Sequence, residues 1–146
     1  MALFLPDANV LIHALRAESP DHARCRRWLL EVSTAGDLIG LAESVEIALL
    51  RIPTLPKLDL VPVAEVLGFW NDDLLGYPGT RRLMAGARHA EILCRLVREQ
   101  GLCGNDMNDV WLAALAMEQR ATLVSTDRGF GRFTGLDWLD PQHEIL

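Results

Sequence analysis

Six acidic residues stand where carboxylates could act together on a phosphate ester. Asp7 follows the apolar run Leu3-Phe4-Leu5-Pro6, and Asp127 follows Leu123-Val124-Ser125-Thr126. Glu43 and Glu46 stand three apart just beyond Leu38-Ile39-Gly40-Leu41, and Asp106 and Asp109 repeat that spacing ahead of Val110. Residues three apart share one face of a helix. Crowded carboxylates repel and raise one another's pKa unless a cation compensates. Mg²⁺ and Mn²⁺ are hard ions that take carboxylate and water oxygens. Held by such a cluster, they lower the pKa of an attacking water and neutralise charge developing on a phosphodiester.

Each acid also has a plainer use. Asp7 suits the N-cap of a following helix, and Asn9 a second polar cap. Glu43, Asp106 and Asp109 suit the positive end of a helix dipole. Asp127-Arg128-Gly129 suits a turn. The aromatic residues, four Trp among them, serve most simply as core.

The elements that must position these acids alternate along the chain. Leu3–Leu5 is predicted as a buried strand, with Val10, Leu11, Ala14 and Leu15 at helical spacing after it. Ser19-Pro20 breaks that helix, leaving His13 and Arg16 on other, solvated faces. Asp21 is expected to start the next helix, through Cys25, Trp28 and Leu29, which Gly36 ends. Leu38–Leu41 is a second strand and 43–51 a third helix. Pro53, Pro56 and Pro62 make an irregular stretch, and 63–75 is helical up to Tyr77-Pro78-Gly79. Leu83-Met84 is expected in a short third strand. Ile92, Leu93, Leu96 and Val97 mark an amphipathic helix that Gly101 ends. Another helix runs from about Asn105 through Met117 to the strand Thr122–Ser125, whose β-branched bias suits burial. Trp138-Leu139 is expected as an edge strand before a short tail. Strand–helix alternation of this kind specifies a mostly parallel sheet flanked by helices, which keeps its sites at the strands' carboxyl ends. Asp7 and Asp127 both fall at that edge.

At 146 residues, with 50% hydrophobic and 23% charged, the chain suits a single domain over 1–146 with a core of its own. No apolar run reaches membrane-spanning length and no basic segment leads an apolar one at the start, so a cytoplasmic protein is expected. Cys25, Cys94 and Cys103 are odd in number without Cys-x-x-Cys spacing, which favours free structural thiols over disulfides or zinc ligands. A net charge of −6 argues against a broad basic footprint for nucleic acid. It leaves room for an enzyme that meets phosphates through metal ions.

Three stretches taken in order carry a family resemblance. Asp7-Ala8-Asn9-Val10-Leu11 resembles the opening Asp-x-Asn/Ser-x-Leu motif of PIN-domain proteins. Asn108–Ala116 resembles that family's Asp followed by an Ile/Leu-Ala-Ala-Ala helix, and Leu123–Phe130 its closing Leu-Val-Thr/Ser-x-Asp-x-x-Phe. Arg132-Phe133 and Gly135-Leu136-x-Trp138 are similar to the tail of the VapC toxins of bacterial toxin–antitoxin pairs. The resemblance spans essentially the whole chain. It implies a PIN-like three-layer α/β sandwich and an Mg²⁺- or Mn²⁺-dependent endoribonuclease. Asp7, Asp109 and Asp127 match the family's acids directly. The acid between them is matched by Glu46 when the second strand is aligned, and by Glu43 when counting back from Arg51. Asp106 is an additional acid beside the set. The resemblance also implies a small antitoxin partner that covers the acidic groove, and homodimers.

On this reading Asp7, Glu46 and Asp109 hold the principal metal, and Asp127 completes the cluster or holds a second ion. Asn9, Ser125 and Thr126 orient ligands or bound water, and Arg128 and Arg132 contact phosphate or are solvated. Two other classes stay open. A receiver- or phosphatase-like phosphoryl-transfer domain would need a lysine near the phosphoryl group, and Lys57, the only lysine, lies in the Pro-rich stretch. A binding module that kept the fold without turnover would not cleave RNA.

Overall fold

A computed structural model describes residues 1–141. The expected terminal tail lies, from residue 142 onward, outside the described residues. Strands β1 (Leu3–Pro6), β2 (Leu38–Ala42), β3 (Thr80–Leu83), β4 (Thr122–Val124) and β5 (Trp138–Leu139) form one parallel sheet in the order β3-β2-β1-β4-β5. Helices α1 (Ala8–Leu15), α2 (His22–Ala35), α3 (Glu43–Arg51), α4 (Val63–Gly68), α5 (His89–Gln100) and α6 (Asp106–Gln119) complete the α/β architecture. From β1 to β3 the chain advances one way across the sheet; from β3 to β4 it jumps back past β1. Right-handed crossovers then put α5 and α6 on the face opposite α1 and α2, and each of these pairs packs together.

That reversal makes β1 the switch point, where open α/β sheets form a crevice beyond the strand ends. Pro6 helps to open it. Its partner in the ladder is Val124 of β4, whereas β2 pairs only with Leu3 and Phe4. The donor that proline lacks would point to the β2 side, where the ladder has already ended. Asp7 N–H, on the other side, still donates to Val124 O at 2.9 Å. A proline is thus tolerated at the end of a central strand without breaking a bond.

The core follows from the patterning. β1 and β2 contribute Leu5, Ile39 and Leu41, and α1 contributes Val10, Leu11 and Ala14, all buried. Phe4 meets Trp28 of α2 edge to face at 5.9 Å between ring centroids. Helix α6 buries Val110 and all of Leu112–Ala116, so it is apolar nearly all round, as an interior helix should be. It runs antiparallel to β4, which returns its N-terminus, with Asp106 and Asp109, to the sheet's carboxyl edge.

Several elements differ in detail from the periodicity. The third strand spans Thr80–Leu83, and Met84 lies beyond it, largely exposed. As an edge strand carrying exposed Arg81 and Arg82, it lacks the apolar alternation that marks an inner one. The helix expected over 63–75 is α4 followed by a π-helical turn, Phe69–Leu74. The wider winding lets Phe69 and Leu74 both face the core. Asp21 precedes α2 but makes no side-chain cap bond; its carboxylate lies 3.8 Å from His13 Nε2. Of the cysteines only Cys25 is buried, while Cys94 and Cys103 are exposed free thiols.

Candidate active site

Asp7 is the best-buried acid at the crevice, with 8% exposure. It caps α1 as a short polar residue should, Oδ1 accepting from Val10 N–H at 3.1 Å. The capping and site readings are therefore not rivals, because the carboxylate's other oxygen remains for a second task. Oδ2 accepts from Ser125 Oγ. The same Oγ accepts from Asp127 N–H at 3.0 Å, so Ser125 ties the ends of β1 and β4 together. Asp127 in turn caps the 3₁₀ turn Arg128–Arg132, Oδ1 accepting from Gly129 N–H at 2.8 Å.

Burial pushes the Asp7 carboxyl up to about 6, against the two hydrogen bonds that favour the ion, and the charges of Asp127 and Asp109 add to the rise. Asp109 is also raised, first by burial, then by Asp127, with Arg132 opposing. The charge of Asp127 thus reaches both Asp7 and Asp109, and that of Asp109 reaches Asp7, as the parallel sheet and the antiparallel α6 require.

A cleft of about 540 Å³ opens over Asp7 and Asp109, with Asn9, Ser44, Arg51 and Asn108 among its other polar lining residues, while Asp127 stands exposed outside that lining. Asn9 stands exposed at its wall and Thr126 is half-buried beside Ser125. Arg51 and Asn108 were not singled out from the sequence as cleft residues, although Ser44, Ala48 and Arg51 share one stripe of α3 that could have marked Arg51, and Asn108 adjoins Asp109 on α6.

Glu46 departs from expectation. It is buried and does not line the cleft. Its Oε1 accepts from Trp70 Nε1–H at 2.9 Å and from Arg82 Nη2–H at 2.9 Å and Nε–H at 3.2 Å. The Arg82 guanidinium also lies 5.8 Å from the Trp70 ring centroid. The carboxylate therefore braces α3 to the π-helical turn and to β3. Neither partner is visible from the acid's own helix. Glu43, by contrast, is exposed on the first turn. It lines a neighbouring groove that shares Ser44 and Ile47 with the cleft. Asp106 Oδ2 accepts from Cys103 N–H at 3.3 Å, and Oδ1 lies 3.5 Å from Arg132 Nη2. Arg128 is exposed at the start of its turn.

The donor set suits a divalent cation: oxygen ligands only, partly desolvated, with mutual repulsion at Asp7 and Asp109 that Arg132 offsets only in part at Asp109. Among the described residues no three His, Cys, Asp or Glu side chains are already gathered as a metal cage. No helix among them is long and apolar enough to cross a membrane.

Comparison with known proteins agrees with this arrangement. The PIN domain family model matches residues 4–136. Ribonuclease VapC37 of Mycobacterium tuberculosis is 37% identical over 136 residues, covering 92% of this chain and 94% of its own length. Ribonuclease VapC33 of the same organism is 31% identical, covering 97% and 100%. Among solved structures, VapBC2 from Rickettsia felis bound to a promoter DNA fragment superposes with a TM-score of 0.70 at 17% identity, covering 94% of this chain and 98% of that one. DNA-bound VapBC from Salmonella typhimurium gives 0.69 at 15% identity, covering 97% and 99%. Family model and curated relatives together place the chain: it belongs to the PIN-domain family, alongside the VapC ribonucleases.

Proposed function

We propose that this chain is a divalent-metal-dependent endoribonuclease, the toxin of a type II toxin–antitoxin pair. The observation that carries the reading is the shared electrostatics of Asp7, Asp109 and Asp127 at the switch point of the sheet. Its support from relatives is that the curated proteins matched are named ribonucleases.

Asp7, Asp109 and Asp127 would hold the ion, Mg²⁺ or Mn²⁺, which when bound supplies Lewis-acid activation of a water and charge neutralisation at the phosphodiester. Glu43 is the further acid nearest the cleft rim, and Asp106 flanks the set. Ser125 fixes the direction of the Asp7 carboxylate and of the Asp127 backbone, a supporting role of the kind that orients ligands. Thr126 belongs to the same strand end, and Asn9 offers its amide to a water or a phosphate oxygen in the cleft. Arg51 on the cleft wall, with Arg128 and Arg132 on the following turn, would contact phosphate and hold the RNA backbone. Lys57 is exposed between α3 and α4 and does not line the cleft, so the phosphoryl-transfer alternative lacks its lysine there.

On the same reading the chain is cytoplasmic and pairs with itself, and a small antitoxin covers the acidic cleft. Purified chain should cut single-stranded RNA in Mg²⁺ or Mn²⁺ and stop in EDTA. Asp7→Asn should abolish the cut while keeping the fold. Wild-type cleavage rates in Asp7→Asn would sink the assignment, and RNA binding without cleavage by the native chain would leave a binding module.

A further inference from the structure

Arg132 reaches the acid cluster from the turn after β4. Its Nη1 donates to Gly129 O at 2.8 Å, and its guanidinium carbon lies 4.5 Å from the Phe133 ring centroid. Both contacts lie within the arginine's own turn, so the turn, not the acids, sets where the guanidinium sits. Its Nη2 then stands 3.5 Å from Asp106 Oδ1 and 3.8 Å from Asp109 Oδ2. Committed charge-assisted bonds are shorter, about 2.7–2.9 Å. At these distances the cation balances two carboxylates without saturating either. Asp106 is held from its other side by Cys103 N–H.

We propose that Arg132 is the resident counter-cation of the metal site, holding the α6 carboxylates together in the metal-free chain and weakening the hold on the divalent ion. This rests on the metal-dependent reading above. Without a cation, Asp109 would face the charges of Asp127 and Asp106 uncompensated. An arginine is always charged and meets that need at any working pH. A divalent ion held by Asp109 shares its carboxylate with this guanidinium, and the two cations repel. For a double and a single charge roughly 6 Å apart in water-like surroundings, that repulsion weakens binding on the order of tenfold. The fold is thereby made independent of metal at the expense of affinity.

Mn²⁺ titration calorimetry on the wild type, Arg132→Gln and Arg132→Lys, with melting scans in EDTA and in Mn²⁺, tests this. Arg132→Gln should bind Mn²⁺ about tenfold tighter, melt lower in EDTA, and gain more from Mn²⁺ than the wild type. Arg132→Lys keeps the charge and should stay near wild-type affinity. Equal or weaker Mn²⁺ binding in Arg132→Gln overturns the proposal, as does an Arg132→Lys affinity that matches that of Arg132→Gln. If Arg132→Gln folds only when Mn²⁺ is present, the proposal stands; if it folds in neither condition, it falls. A wild type that binds no Mn²⁺ overturns the metal-dependent reading itself, a result distinct from all of these.

Discussion

Helices α3 and α6 each begin at the carboxyl edge of the sheet with two acids three residues apart, yet the pairs have different fates. On α6, Asp106 and Asp109 remain together, with Arg132 Nη2 within 4 Å of each. On α3 the pair divides: Glu43 is exposed, and Glu46 is drawn inward to Trp70 and Arg82. Helical spacing puts two side chains on one face, but the neighbouring elements decide what each meets. Beside α6 the neighbour is the acid-bearing end of β4. Beside α3 it is a π-helical turn and an edge strand that supply an N–H and a guanidinium. A carboxylate given three donors is satisfied as a brace and has less to gain from an ion.

The comparison is broken most directly at Asp109. Asp109→Asn should reduce RNA cleavage on the order of 100-fold or more, since even groups that merely support ligands cost 10–100-fold. Its melting temperature in EDTA should hold or rise, because a repelled charge is removed. Single-turnover cleavage with a parallel melting scan checks both. Near-wild-type cleavage would dissolve the distinction between the two helices.

Asp7 gives the next largest effect, and its sign runs against the usual carboxylate. Its folded pKa, about 6, lies above the unfolded value of 3.8. The folded chain therefore holds the proton more tightly between those values. Stability from this group is present below pH 4 and is lost as pH rises through 6. The difference amounts to roughly 3 kcal/mol, at 1.4 kcal/mol per pKa unit. In EDTA the wild type should melt higher at pH 5 than at pH 7.5, and Asp7→Asn should lack this part of the dependence. Divalent ion at pH 7.5 should restore the loss by binding only the folded state. A flat wild-type profile in EDTA would show that burial does not strain this carboxylate.

Much of this was legible beforehand, for reasons that differ by element. Inner strands such as Leu38–Leu41 and Thr122–Val124 reveal themselves by continuous apolar runs, and Asp7 and Asp127 follow from where those runs end. Asp109 follows from the direction of a helix that must return to a parallel strand. The limits came where the deciding partner is remote in sequence. Glu46 is 24 residues from Trp70 and 36 from Arg82, and no local period carries that pairing. The bounds of edge strand β3 and the winding of the π-helical turn escaped for a related reason, since exposed arginines hide the start of the one and the other borrows a helix's composition.

Glu46 is the third test. Glu46→Ala should leave the Trp70 N–H without its acceptor and cost about 1–3 kcal/mol. The Arg82 component is at the low end, because that side chain is 57% exposed and screened. Cleavage should persist within several-fold under conditions where the variant is folded. Denaturant unfolding beside an RNA cleavage assay separates the two outcomes. A stable but inactive Glu46→Gln would return this residue to the ligand set and make α3 and α6 alike after all.

Glu43 carries the smallest expected effect, and for that reason it sharpens the contrast most finely. It is exposed on the first turn of α3, where a negative charge interacts with the helix dipole. Removing that charge with Glu43→Gln should cost a few tenths of a kcal/mol, within the ~0.3–1 kcal/mol typical of such positions. It shares Ser44 and Ile47 with the cleft wall, so its charge adds to the field drawing a cation in, and this contribution falls with salt. Glu43→Gln should therefore bind Mn²⁺ a few-fold more weakly at low ionic strength and equally at high ionic strength, with kcat scarcely changed. A ligand behaves otherwise: its loss persists at high salt and lowers kcat. If Glu43→Gln shows that persistent loss while Glu46→Gln does not, the exposed member of the α3 pair is the fourth ligand, and burial has removed its neighbour from the site.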